Sequence, residues 1–386
     1  MSPGVQCTLI RGGTLYAPEE EGVKDLLIVG DRIARIADEI ELPEDFDIRL
    51  FDASGLLVVP GFIDLHVHLI GGGGEAGPTS RVPEITLSRI TEAGITTAVG
   101  VLGTDNVSRH LETLLVKAKA LCVEGITTYM YTGSYHLPSS TITGSVKRDI
   151  ALINEIIGVK IAISDHRGSQ LTFTELARLA SEARAGGMLS GKVGVVHVHV
   201  GDGNRGLEPL LDVVEHTEIP INQFLPTHIA RTSSLLQQGI ELVRKGGCID
   251  ITAPEDGSTA ISILEDLYAS KIDLGKVTFS SDGNGSKPKY NDQRGLVGMS
   301  TGSVSTLIKT FRSLVEAKQT SLVDVLRLVT SNPADRLGIS QHKGRIREGA
   351  DADLVILDKD LCIDKVFANG RLMVDGGKAV VKGTFE

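Results

Sequence analysis

The residues best placed to do chemistry are histidines two apart on apolar runs. DLHVHL carries His66 and His68, and VHVHVG carries His197 and His199. Positions i and i+2 of an extended strand share a face, so each pair aims two imidazoles the same way. Converging imidazoles are ligands for a divalent metal. One HxH pair also fits two histidines on a solvated edge strand, so the motif gains meaning only in company. THI supplies His228 and SSDGNG supplies Asp282, each where an apolar run ends. Lys160, in GVKIAIS, is the odd member. A lysine inside a buried strand is costly unless paired or neutralised, and as an ammonium with an ordinary pKa of about 10.4 it repels metal ions. Carbamylation by CO2 would make the amine an anionic ligand, and two cations roughly 3.5–4 Å apart need such a bridge. A lysine reaching from a strand end to solvent is the plainer alternative. Chemistry from this set is hydrolytic. Water is deprotonated near neutral pH, one ion polarises a carbonyl, and Asp282 carries the proton to the leaving nitrogen.

Such side chains need a frame that brings distant segments to one point. The middle of the chain alternates apolar runs with helical patterns. The runs are LLVVPGFIDLHVH, ITTAVGVLG, ITTYMYTG, VKIAIS, VGVVHVHVG, QFLPTHI, CIDIT and KVTFSSDG. PEITLSRITEAG opens on proline and closes on glycine, as helices do, and VSTLIKTFRSLVEAK carries the helical period after the last run. Eight βα units over about 280 residues predict an α/β chain, a closed (β/α)8 TIM-type barrel, with an open doubly wound sheet as competitor. Barrel active sites lie at the carboxyl ends of the strands, where the candidate ligands fall. The chain ends read differently. CTLIRGGTLYA and DLLIVGDRIARIA before the barrel, and GRIREGADADLVILD and DKVFANGRLMVDGGKAVVKG after it, are strands separated by GD, NG and GG turns. Neither end alone buries a core, so both are expected to meet in one small β-sandwich domain. The expected boundaries are 1–56 plus 342–386 for that composite domain and 57–341 for the barrel.

Composition narrows the function. A chain of 386 residues fits one large domain plus a small one, and 23% charged with 41% hydrophobic residues is not a disordered composition. A net charge of −10 argues against nucleic acid or an anionic membrane as partner. No apolar run approaches the roughly 18 residues that span a bilayer. MSPGVQCTLIRGG lacks a basic stretch followed by an apolar one, so no secretory signal is expected. Cys7, Cys122, Cys248 and Cys362 form no CxxC pair, which speaks against cysteine zinc sites and disulfides and fits a reducing cytoplasm.

The set of an HxH pair, a lysine on the fourth run, histidines on the fifth and sixth and an aspartate on the eighth resembles the binuclear branch of the amidohydrolase superfamily. GADADLVILD and the flanking β segments resemble its small composite domain. Within that superfamily the chain is similar to the isoaspartyl dipeptidase family over essentially its whole length. The segments that carry this are PGFIDLHVHLIGGGGEAGPTSR, GVLGTD, TGSYH, GVKIAISDHR, VHVGD, LPTHIAR and SSDGNGS. GGGGEAG after HVHLI is the most specific of them. The resemblance implies a metallo-dipeptidase that hydrolyses the β-aspartyl isopeptide bond of a small zwitterionic dipeptide. It implies two divalent ions per chain, zinc being expected, on His66, His68, Lys160 carbamylated by CO2, His199, His228 and Asp282. It implies catalytic roles for Asp282 and Tyr135, and substrate contacts from Gly73, Glu75, Thr104, Tyr135, Arg167, Arg231 and Ser286. His197 has no role in that pattern and is assigned to structure. A homo-oligomer, an octamer, is implied as well.

The contacts make chemical sense by themselves. A β-aspartyl dipeptide carries one ammonium and two carboxylates. Glu75 after a glycine run offers a carboxylate to the ammonium, and Arg167 and Arg231 follow barrel strands and suit carboxylates. Tyr135 could donate to a developing oxyanion. Each could equally be a loop charge or a packing residue. Two further enzymes compete: a binuclear hydrolase of a cyclic amide, of dihydropyrimidinase or hydantoinase type, and a mononuclear deaminase, whose HxxE acid is missing after His199 and His228. A non-catalytic barrel serving assembly is the reading from another class, and the presence of every ligand speaks against it.

Overall fold

The computed structural model describes residues 7–41, 47–291 and 296–386. Eight parallel strands occupy the eight apolar runs: Phe62–Val67, Ile95–Gly100, Thr127–Gly133, Ile156–Ile163, Val195–Val200, Phe224–Thr227, Ile249–Thr252 and Val277–Ser280. The first six pair in chain order as one sheet, and the last two pair with each other. Ile229 N donates to Asp250 O at 3.4 Å across the sixth and seventh positions. A parallel bridge from Val67 to Gly283 joins the eighth position to the first. The strands thus close into a barrel. Most of them are buried at every position, because helices cover the outside while side chains fill the inside.

Each strand is followed by a helix, from the short Leu87–Thr91 after the first to Thr306–Glu316 after the eighth. The longest, Phe173–Ser190, starts in a capping box made by Thr172 and Glu175 and ends at Gly191, where φ is +69°. Two features go beyond the alternation read from the sequence. An antiparallel pair, Ser286–Tyr290 with Leu296–Thr301, is inserted between the eighth strand and its helix, and the helices Leu322–Val329 and Ser331–Leu337 follow that helix. The run LLVVPGFIDLHVH also divides at Gly61. Leu57–Pro60 pairs with Cys7–Tyr16 and Leu354–Leu357, whereas Phe62–Val67 enters the barrel.

The two chain ends build one nine-stranded sheet, in which Leu57–Pro60 joins the N-terminal strands to the C-terminal ones. Its far edge comes back on the chain, since Ile33 N donates to Ala350 O and Ala352 N to Asp31 O. Alternation along Leu354–Leu357 explains how one sheet serves two cores. Leu354 and Ile356 pack into a core of the sheet's own with Ile10, Leu26 and Val58, while Val355 and Leu357 join the barrel core. Asn369 and Gly370, both at positive φ, make the tight NG turn between Ile363–Ala368 and Arg371–Asp375. Among the described residues no helix is long and apolar enough to cross a membrane.

Candidate active site

The carboxyl ends of the barrel strands surround a cavity of about 410 Å³. His66 lies within the first strand and His68 one residue past it, on the same face, and both are buried. Lys160 lies inside the fourth strand, fully buried, opposite His197 of the fifth in the ladder. His228 and Asp282 follow the sixth and eighth strands at φ of +66° and +51°. That left-handed backbone costs about 1–3 kcal/mol for a residue with a Cβ and recurs at functional sites.

The structure gathers the sequence-derived ligand set. Asp282 Oδ1 lies 3.4 Å from His66 Nε2 and 3.3 Å from His68 Nε2, and these three offer ligand atoms within 4.8 Å of one another. Lys160 Nζ is 3.1 Å from His66 Nε2. The His228 ring centre is 5.2 Å from that of His66 and 4.6 Å from that of His199. The nitrogens pointing away from this cluster are held by other side chains. His66 Nδ1 meets His197 Nε2 at 2.9 Å, and His228 Nδ1 meets Thr252 Oγ1 at 2.5 Å. His199 Nε2 donates to Asp165 Oδ2 at 2.8 Å, which puts the ring's lone pair on Nδ1, the nitrogen that could serve a metal, with Tyr135 Oη 2.7 Å from it. Partners of this kind fix the tautomer and orientation of metal-binding histidines. His197 therefore braces His66, stacked on the Tyr131 ring with centres 4.8 Å apart.

Electrostatics point the same way. Burial first, and then the Lys160 amine, hold His66 well below the usual imidazole range, and burial does the same for His197 and His228. His199 is pushed down to about 3 by burial, against the pull of Asp165. Burial brings Lys160 down to about 7, with Asp282 pulling upward. Burial pushes Asp282 up, but the hydrogen bond with His68, helped by the nearby Lys160 amine, outweighs it and holds the carboxyl below its ordinary range. Neutral imidazoles, one carboxylate and an amine poised to lose its proton form a donor set that fits divalent metal. His68 offers Nε2 to this set, and its Nδ1 is buried without a partner among the described residues.

Around this cluster the cavity wall includes Gly73, Glu75, Thr104, Tyr135, Arg167, Arg231 and Ser286. Glu75 accepts from Ser286 Oγ at 3.0 Å and from Thr104 Oγ1 at 3.3 Å, and lies 3.6 Å from Arg167 Nη1. Burial pushes the Tyr135 phenol up, so it stays a donor. Arg231 is exposed on the wall.

Sequence reasoning missed three acids. Asp165 accepts from Arg167 Nε at 2.9 Å and Nη2 at 2.7 Å as well as from His199, tying a candidate ligand to a candidate substrate arginine. Burial works against its charge, but the hydrogen bonds from His199 and Arg167 hold it well below the carboxylate range. Asp64 and Asp250 lie buried in the barrel below the site. Asp250 accepts from Thr227, Ser280 and Thr278 at 2.6–2.7 Å, and Asp64 accepts from the His66 and Ser281 amides. Burial pushes them up to about 7 and about 6. DLHVHL did offer a signal for Asp64, which shares the inward face of His66.

Comparison with known proteins agrees with this geometry. A solved β-aspartyl dipeptidase from Fervidobacterium islandicum AW-1, in complex with β-Asp-Leu dipeptide, is 43% identical, with a TM-score of 0.91 over 97% of this chain and 98% of that one. A dihydroorotase from Geotalea daltonii is 25% identical, covering 90% of this chain and 89% of its own. The dihydropyrimidinase of Brevibacillus agri, at 17% identity and a TM-score of 0.67 over 98% and 97% of the two chains, shares the fold. Residues 57–373 match the Amidohydrolase family. With that match, and with imidazole, lysine and carboxylate groups converging at the strand ends, the chain belongs to the amidohydrolase family and is a hydrolase of amide bonds.

Proposed function

We propose that this protein is a metallo-dipeptidase that hydrolyses the β-aspartyl bond of isoaspartyl dipeptides. The observation that carries the reading is Glu75, a carboxylate on the cavity wall held by Ser286 and Thr104. A cyclic amide such as a dihydropyrimidine has no ammonium for it, whereas a β-aspartyl residue does. The 43% identity to a β-aspartyl dipeptidase supports the same choice over the cyclic-amide enzymes at 25% and below.

In this reading Glu75 and the backbone at Gly73 hold the aspartyl ammonium and α-carboxylate, with Thr104 and Ser286 fixing the Glu75 carboxylate. Arg231 takes the terminal carboxylate of the leaving residue. Arg167 already spends two of its donors on Asp165 and offers the remaining face. Tyr135 donates to the oxygen that gains charge, and Asp282 transfers a proton to the leaving nitrogen. His66, His68, Lys160 as its carbamate, His199, His228 and Asp282 would hold two divalent ions, zinc from the donor chemistry. Such ions supply Lewis acidity and make water nucleophilic near neutral pH. In this reading the barrel unit runs from Gly61, not from residue 57, to residue 341, because Leu57–Pro60 pairs within the sheet of the smaller unit, which takes the described residues before Gly61 and those from 342 on. A cytoplasmic homo-oligomer, an octamer, follows the family resemblance.

Selectivity between isomers tests the reading. In the α isomer the carbon that bears the ammonium is bonded directly to the scissile carbonyl, so holding the ammonium at Glu75 pulls that carbonyl away from the ligand cluster. Misplacement by about 1 Å can cost about 10²-fold in rate. Purified enzyme should cleave β-Asp-Leu and leave α-Asp-Leu and dihydroorotate intact. Equal turnover of the two dipeptides, or turnover of dihydroorotate alone, would overturn it.

A further inference from the structure

Arg109 lies outside the cavity wall, in the segment between the second barrel strand and helix Leu111–Glu124. It is only 8% exposed, and its hydrogen bonds run to backbone carbonyls. Nη1 donates to Ile70 O, and Nη2 donates to Gly72 O at 3.1 Å and Val82 O at 2.8 Å. Those carbonyls belong to the two arms of the loop after the first strand, and Glu75 lies between the arms. A buried guanidinium is costly unless its donors are used, so an arginine here needs a reason.

The loop it grips leaves little room. A Cβ on Gly71 would stand 2.0 Å from Val82 O, and one on Gly73 2.2 Å from Ser80 O, both at positive φ. The arms therefore touch backbone to backbone, and a glycine run has no side chains with which to hold itself in place. Arg109 supplies the missing tie at the base of the loop. Thr104, from the same segment as Arg109, reaches the tip at Glu75. Between them, Asp105 accepts from the Val107 and Ser108 amides and keeps the segment folded.

We propose that Arg109 is a positioning residue for substrate, which sets the place of Glu75 and the Gly73 backbone by cross-linking the two arms of the glycine loop. The inference rests on the assignment of Glu75 to the substrate ammonium. An ammonium contact serves the bound substrate and the transition state alike, so loosening it raises KM while kcat holds. Arg109's hydrogen bonds run to Ile70, Gly72 and Val82 and to no residue of the ligand cluster, so metal content should not change.

Arg109→Gln and Arg109→Lys test this, each measured for metal content, for kcat and KM on β-Asp-Leu, and for hydrogen exchange over residues 71–77. Arg109→Gln should raise KM about tenfold or more with kcat within about threefold and metal content unchanged. Arg109→Lys, which keeps the charge and part of the reach, should recover some of that loss. Exchange in the loop should quicken in both, and this readout needs no substrate. Wild-type enzyme inert toward β-Asp-Leu would sink the functional reading, while the exchange result would still decide the clamp. Unchanged KM and unchanged exchange in folded, metal-loaded variants would overturn the inference. So would failure of both variants to fold, which would place Arg109 in the frame of the protein and not in its loop.

Discussion

At Lys160 two forces oppose each other: burial pushes the amine down to about 7, and Asp282 draws it upward. A lysine so placed spends much of its time as the free amine near neutral pH, the form that adds CO2. Lys160→Ala should lose both metal and activity, and acetate or propionate supplied with metal should restore part of each. Full metal loading of the alanine variant, measured by elemental analysis, would remove the need for a carbamate. Glu75 makes a cleaner test of substrate binding, because its hydroxyl partners also suit an amide. Glu75→Gln should lower kcat/KM on β-Asp-Leu by about 10²-fold with metal content intact, since one lost charge contact is worth several kcal/mol in a closed site. Unchanged kinetics in that variant would end the assignment.

At the level of elements, the fifth strand shows why alternation alone does not assign roles. His197 and His199 point the same way, as VHVHVG requires, yet they occupy different layers of the barrel. His199 lines the cavity, while His197 lies opposite Lys160 and bonds His66 from behind. His197→Phe keeps a ring against Tyr131 and loses the bond to His66 Nδ1. It should weaken metal binding about 10–100-fold, read by competition with a chelator; affinity equal to wild type would mean that His66 needs no brace. The loop after the first strand is the second such element. Gly73 sits at φ +89° with Ser80 O where a Cβ would go, so Gly73→Ala should displace the arm that carries Glu75. KM should rise more than kcat falls, and a kinetically silent Gly73→Ala would show that the loop tolerates the shift.

Across the whole molecule, buried titratable groups tie stability to pH with opposing signs. In metal-free protein burial holds His66, His68, His197, His199 and His228 below the usual imidazole range, so below about pH 6.5 the unfolded chain binds more protons. Asp64 and Asp250, raised to about 6 and about 7, hold protons in the folded state that the unfolded chain has released above its carboxylate pKa. Five histidines against two aspartates leave the unfolded state with the larger proton uptake between about pH 4 and 6. Stability of the chelated protein should therefore fall as pH falls through that window. It should rise again from about pH 7 toward 10, where unfolded lysine keeps a proton that Lys160 has lost. A melting temperature of chelated protein that climbs on acidification from pH 6 to 4 would contradict these assignments.

The barrel, and the strand ends at which the candidate ligands lie, were legible in the chain because both depend on short-range rules. A period of two puts His66 and His68 on one face, and the end of an apolar run marks where a barrel strand delivers its residue. The division of LLVVPGFIDLHVH at Gly61 was not legible, because both halves are equally apolar and only pairing with Leu354–Leu357 separates them. The same holds for the hold of Asp165 on His199, the hydroxyl cage around Asp250 and the reach of Arg109 to Ile70, Gly72 and Val82. Each joins residues from different strands or loops, whose meeting depends on barrel closure and side-chain reach, and no local spacing encodes that. Residue type and spacing determined which groups are candidates for chemistry here. Tertiary structure decided which groups hold them in place.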